Sequence, residues 1–146
     1  MIRILGHFGI DKKIIDYFLF ITSLILVGNL LINGIGFLII GADDISHTET
    51  YALMEKFMSI RWWGIMFIIN VAITILALLA RKCKYKYAFY IASGLMGAGL
   101  TFIYSVASFE TSTYLIHSFR FLLTLSWHGV IALLGVLMLC QNHKSI

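Results

Sequence analysis

Apolar residues dominate four stretches of the chain, residues 14–40, 60–80, 87–109 and 119–140, and short polar segments separate them. A helix crosses the hydrocarbon core of a bilayer in about 20 residues, so each stretch predicts one spanning helix. The pattern predicts an all-α fold: an integral membrane four-helix bundle in a single domain, residues 1–146, with both termini cytoplasmic. The first stretch has an apolar core roughly twice as long as a signal-peptide h-region and no small-x-small cleavage site after it, so it is expected to remain as the first span.

The polar segments carry their own signals. Arg3 and His7 sit among Ile2, Ile4, Leu5 and Phe8, a composition suited to the cytoplasmic interface. Ser46 and Glu49 have the spacing of a capping box, in which each side chain satisfies a free backbone N–H of the first turn. An amphipathic outer helix is therefore predicted over about residues 47–59, with Tyr51, Leu53, Met54, Phe57 and Met58 on its apolar side. It is expected to lead into the second span through Arg61, Trp62 and Trp63, the tryptophans marking the outer interface. The loop RKCKYKY, residues 81–87, is short enough to make the second and third spans antiparallel neighbours. Across the other outer loop Glu110 and Arg120 can pair, an exposed contact of about 0 to 1 kcal/mol.

Composition fixes the setting. Sixty per cent of the residues are hydrophobic and only 12% charged, with a mean hydropathy of +0.93, which excludes an ordinary soluble domain. The formal charge of +4 does not point to nucleic acid, because the basic residues lie at span ends and not along one soluble face. Arg3, Lys12, Lys13, Arg81, Lys82, Lys84, Lys86 and Lys144 fall on one side, against Lys56, Arg61 and Arg120 on the other. Short basic loops stay cytoplasmic, so the expected location is a bacterial inner (plasma) membrane with lipid as the surrounding partner. Arg81, Lys82, Lys84 and Lys86 could also recruit an acidic cytoplasmic protein partner, although their role in topology is enough to explain them. Cys83 and Cys140 are expected to be free thiols at that side, with no CxxC pair for disulfide chemistry.

The third span contains SGLMGAGLTFIYS, residues 93–105. The hydrophobic effect does not drive helices together in lipid, so close backbone packing and interhelical hydrogen bonds must, and small residues favour both. Ser93, Gly94, Gly97 and Ala98 are the predicted helix-packing positions, on a face that continues through Tyr90, Thr101, Tyr104 and Ser108. Ala98, Thr101 and Ser105 widen it enough for a second neighbour, which makes a homo-oligomer the expectation. The other spans supply Thr22, Asn29, Asn33 and Gly36; Asn70, Thr74 and Ala77; and Thr124, His128, Ala132 and Gly135. Counting about 1.5 Å per residue from the outer ends places Asn33, Thr101, Tyr104 and His128 roughly 7 to 12 Å below the outer surface. With Asn29 and Asn70 they are the candidate polar layer: interhelical glue on one reading, a small outward-facing cavity with His128 as its titratable member on the other.

The absences narrow the function. No Asp or Glu lies inside a span, Asp16 standing at the start of the first, whereas the small multidrug transporters of similar size depend on such a carboxylate. Proline is absent, so broken helices would have to come from glycine. Arg61 and Asn70 do not make the second-helix pattern of four-span glutathione-type enzymes, and no catalytic triad, metal-ligand set or phosphate loop is visible. His128 has no second in-span histidine for haem. The chain reads as a non-enzymatic bundle without cofactor or metal, acting through protein contacts as an anchor, a sensor or an immunity or phage-defence component. Phage exclusion and toxin-immunity proteins share its length and span count, a likeness of architecture without a motif. The alternative is a small channel or transporter using the outer-half polar layer.

Overall fold

No water reaches the middle of a bilayer to bond a peptide N–H or C=O, so a spanning segment must satisfy its own backbone, and an α-helix does so internally. The computed structural model describes residues 12–39, 49–80, 85–111 and 115–143, and their regular structure is entirely helical. In chain order the helices are α1 (Lys12–Ile39), α2 (Glu49–Glu55), α3 (Ile60–Leu79), α4 (Lys86–Thr111) and α5 (Leu115–His143). The helices α1, α3 and α4, with the Phe121–Cys140 part of α5, are each long and apolar enough to cross a membrane. The chain is a multi-pass membrane protein. Arg3, His7, Ser46, His47, Arg81, Lys82, Cys83, Lys84 and Lys144 lie outside the described residues, as do the side chains of His117, Arg120 and His143. The capping box and the Glu110–Arg120 pair therefore lie outside them too.

The four long helices form a ring in which each neighbours two others. The pair α4 and α5 shares the most extensive contact, followed by α1 with α3 and α3 with α4. The ring closes between α1 and α5, its thinnest seam, where Asn29 Nδ2 donates to Thr124 Oγ1 at 3.5 Å and the Phe18 and Trp127 rings lie 6.1 Å apart. Among the described residues α1 and α4 are diagonal, as are α3 and α5. Successive spans are antiparallel: Gly64 near the start of α3 meets Gly34 and Leu38 near the end of α1, and Gly135 in α5 meets Ile91 and Tyr87 at the start of α4. Lys12 and the C-terminal end of α5 thus lie at the same end of the bundle.

Two apolar cores occupy the two ends. One gathers Leu30, Phe37, Met54, Trp63, Phe67 and Leu100, the other Ile15, Leu19, Leu26, Tyr87, Ile131 and Met138. The outward surface is also apolar: Ile32, Ile39 and Leu79 are more than two-thirds exposed, as suits side chains facing lipid tails. Even the polar Ser126 on that surface is satisfied, donating to the Leu122 carbonyl one turn back at 3.0 Å.

The helix α2 is shorter than the pattern predicts. It ends at Glu55, and a turn over residues 56–59 separates it from α3. Ser59 has a ψ of 144°, which no helical residue adopts, and its carbonyl opens α3 by accepting from Trp62 N at 2.9 Å. The break lets α2 fold onto α4 instead of extending α3. Met54 is fully buried, its carbonyl accepts the Trp63 indole N–H at 3.3 Å, and the Thr50 and Thr111 hydroxyls bond each other. Trp63 is therefore a core residue, and only Trp62 of the pair is exposed enough to reach lipid headgroups.

Glycine sets how closely the helices approach. A Cβ added at Gly94 would lie 2.7 Å from the Ala132 N and 2.8 Å from the His128 carbonyl oxygen, so α4 and α5 touch backbone to backbone there. At Gly64 the Gly34 oxygen is 2.9 Å away, which makes a second close crossing between α1 and α3. Gly28, Gly36, Gly99 and Gly129 face open space. Gly94→Leu, which can be relieved only by parting two backbones, is expected to lower stability by about 1 to 3 kcal/mol through overpacking. Gly99→Leu, its control one turn away, should change stability by less than about 0.5 kcal/mol. Thermal unfolding of both variants in detergent micelles makes the comparison.

Candidate functional site

Between the two apolar cores lies a stratum of buried polar side chains: Asn70 and Thr74 on α3, Ser93 and Thr101 on α4, Thr124 and His128 on α5. A bilayer interior charges heavily for polar atoms without partners, so what each one bonds decides its meaning. Most are satisfied locally. Thr74 Oγ1 donates to the Asn70 carbonyl at 2.8 Å, which leaves it to accept from the Ser93 hydroxyl and ties α3 to α4. Thr101 Oγ1 donates to the Gly97 carbonyl at 2.7 Å, and Ser105 Oγ donates to the Thr101 carbonyl at 2.7 Å. Such bonds one turn back keep a polar side chain inside its own helix.

Asn70 and His128 are different. They belong to diagonal helices, yet both come to rest on Gly97 of the helix between them. A Cβ at Gly97 would overlap the His128 ring and lie 2.8 Å from Asn70 Nδ2. The missing side chain is thus what admits both groups to the centre. Asn70 is 0% exposed and His128 1%. Among the described residues neither Asn70 amide atom and neither His128 ring nitrogen has a hydrogen-bond partner, and Ser23 Oγ on α1 is in the same position.

The candidate layer read from spacing divides into three groups. Asn70 and His128 meet at Gly97. Asn33 Nδ2 donates to Asn29 Oδ1 at 3.3 Å, and Asn29 in turn reaches Thr124, so these two asparagines serve the α1–α5 seam. Tyr104 belongs to an aromatic cluster, its ring centroid 3.9 Å from Phe121 and 5.7 Å from Phe37. Phe121 and His128 are separated by roughly 10 Å along α5 at 1.5 Å per residue. Thr101 stands between the aromatic group and Gly97, bonded to its own helix. Of the packing positions, Ser93, Gly94 and Gly97 are buried against α3 and α5, while Ala98 is half-buried. Thr101 and Ser105, assigned above to a second neighbour, are buried within the chain itself.

A second polar cluster escapes any reading by local pattern. At the end where α1 and α4 begin, the Asp16 carboxylate takes Lys86 Nζ at 3.0 Å on one oxygen and the Tyr87 hydroxyl at 2.9 Å on the other. The Lys86 ammonium also lies 4.6 Å from the Tyr87 ring centroid. Asp16 is 71 residues from Tyr87 in sequence. What brings them together is antiparallel topology, which puts the first turns of the first and third spans at one membrane surface. Lys86, read from the sequence as part of a partner-binding loop, is thus engaged within the bundle.

Replacing Asn70 with Leu removes two buried atoms that have no partners among the described residues and keeps nearly the same volume. Because the desolvation cost of a stranded buried group is about 1 to 3 kcal/mol, Asn70→Leu is expected to leave the thermal midpoint unchanged or raise it. Thr74→Val strands Ser93 instead and should lower stability by about 1 kcal/mol. A clear loss on Asn70→Leu in the same melting experiment would show that Asn70 is bonded after all.

No family model, no curated protein and no solved structure matches this chain.

Proposed function

We propose that this chain is a non-enzymatic bundle of the bacterial inner (plasma) membrane, with both termini cytoplasmic, that acts through contacts with other proteins as an anchor, a sensor or an immunity component. The observation that carries this reading is the filled centre. At the level of Gly97 the His128 ring and the Asn70 amide occupy the axis of the bundle and are almost wholly excluded from solvent. One turn away Gly94 brings α4 and α5 into backbone contact. A bundle closed in this way transmits position and contact more readily than it passes solutes. Glycines that face open space, Gly28 and Gly36 on α1 and Gly99 on α4, offer close approach to a helix of another copy. Arg81, Lys82 and Lys84 remain the positions for an acidic cytoplasmic partner, on the same side as the basic majority that sets the orientation.

A second reading has its own support. Asn70 and His128 are polar, central and unpaired among the described residues, the state expected of groups that meet a moving ion or solute inside a small channel or transporter. Reconstitution in liposomes separates the two. The contact reading expects no more proton or cation flux than protein-free vesicles show, and no change on His128→Gln. Flux that His128→Gln abolishes would replace it with the transport reading. Orientation is tested separately in a background with Cys83 and Cys140 replaced by Ser. Lys84→Cys and Lys144→Cys should label only from the cytoplasm, Thr48→Cys and Thr113→Cys only from outside, and the reverse pattern would invert the bundle.

A further inference from the structure

Where α2 lies on α4, a cavity of about 250 Å³ is open at the surface of the bundle. Leu53 and Phe57 form one wall, Phe102, Val106 and Glu110 of α4 the other, and the buried Ala107 lies between them. We propose that it binds a phospholipid whose head carries a primary ammonium, a phosphatidylethanolamine, with an acyl chain against the rings and the ammonium on the Glu110 carboxylate. The inference rests on the chain lying in a membrane and not on how the bundle acts.

Three features carry it. The first is the medium that the cavity meets. Phe57 is 73% exposed, and Phe102 and Val106 are exposed as well. On a spanning bundle such a surface faces lipid tails, so the occupant enters from the bilayer. The turn after α2 sets the outer wall: Phe57 N donates to the Met54 carbonyl at 3.1 Å, and the Met54 side chain is fully buried while Phe57 stands outside. At about 250 Å³ the space falls below the roughly 300 to 1,000 Å³ of drug-sized sites. It suits a slender chain.

The second is the order of polarity along α4. Phe102, Val106 and Glu110 follow one another at steps of four residues, which puts them on one face. Glu110 stands about 12 Å nearer the end of the helix than Phe102. The ring is deep and the carboxylate is at the rim. A phospholipid lies in a bilayer in the same order, its chain in the hydrocarbon and its head at the surface.

The third is charge. Glu110 is the charged residue of the lining among the described residues, and a carboxylate only accepts hydrogen bonds. Among the described residues no cation and no donor is paired with its side chain. A primary ammonium brings both the opposite charge and N–H donors, and such a charge-assisted bond is roughly twice as strong as a neutral one. A choline head has the charge without the N–H, and a phosphoglycerol head brings only negative charge beside the carboxylate.

The test holds surface charge constant and changes the head nitrogen. The full chain is placed in nanodiscs of phosphatidylcholine and phosphatidylglycerol in equal parts, and in discs of phosphatidylethanolamine and phosphatidylglycerol in equal parts. Thermal midpoints are recorded, and native mass spectrometry counts retained lipid. The variants are Glu110→Gln, which removes the charge, Val106→Trp, which fills the groove from its lipid side, and Glu55→Gln, an exposed carboxylate of α2 outside the lining. In the phosphatidylethanolamine discs the parent and Glu55→Gln are expected to melt about 3 °C or more higher than in the phosphatidylcholine discs and to retain the lipid. Glu110→Gln and Val106→Trp are expected to lose both effects. A parent that melts equally in the two discs, or a rise that survives Glu110→Gln, overturns the proposal. So does a midpoint that Glu110→Gln lowers equally in both discs, because a protein cation such as Arg120 then holds the carboxylate.

Discussion

Helices in lipid are not pushed together by the hydrophobic effect, because the tails are as apolar as the side chains. Everything in this bundle follows from where small residues let backbones meet instead. Gly94 against Ala132 and His128 fixes α4 on α5, and Gly64 against Gly34 fixes α1 on α3. These crossings give the two tightest pairs. The remaining seams are then filled by side chains: the Thr74–Ser93 bond between α3 and α4, and the Asn29–Thr124 bond with the Phe18 and Trp127 rings between α1 and α5.

A ring of four helices has two diagonals, and each is bridged by polar chemistry of a different kind. Across one, Asp16 reaches Lys86 and Tyr87 at the membrane surface, where partial solvation makes an ion pair inexpensive. Across the other, Asn70 and His128 meet over Gly97 in the middle of the bundle, where stranded polar atoms are costly. The first bridge is satisfied, whereas among the described residues the polar atoms of the second have no hydrogen-bond partner. That contrast makes the Gly97 level the functional candidate and the surface cluster a structural one.

The four spans were legible because length and hydropathy report directly on the bilayer: a segment either has about 20 apolar residues or it does not. The contact role of Gly94 and Gly97 was also readable, since small residues in a spanning helix have few other uses. Counting residues put Asn33, Thr101, Tyr104 and His128 at one depth, but the Tyr104 ring packs on Phe121, about two turns along α5 from His128, and a residue count does not say what a side chain touches. Tyr104 has rings within reach and joins them; Thr101 has its own helix's carbonyl within reach and takes it.

Sequence alone therefore determined the class of fold, the spans and the small-residue face, because each depends on composition along a single helix. Tertiary structure decided what depends on two or more helices at once. It broke the predicted 47–59 helix with a turn at residues 56–59, and Met54 just before the turn is fully buried. It turned Trp63 inward and left Trp62 outside. It set Asn70 and His128, from helices that are not neighbours, on the one glycine between them, and it joined Asp16 to Lys86 and Tyr87 across the other diagonal. These pairings arise from the angle at which each helix presents its residues to the next. Backbone approach at glycine fixes that angle, and no single helix's sequence contains it.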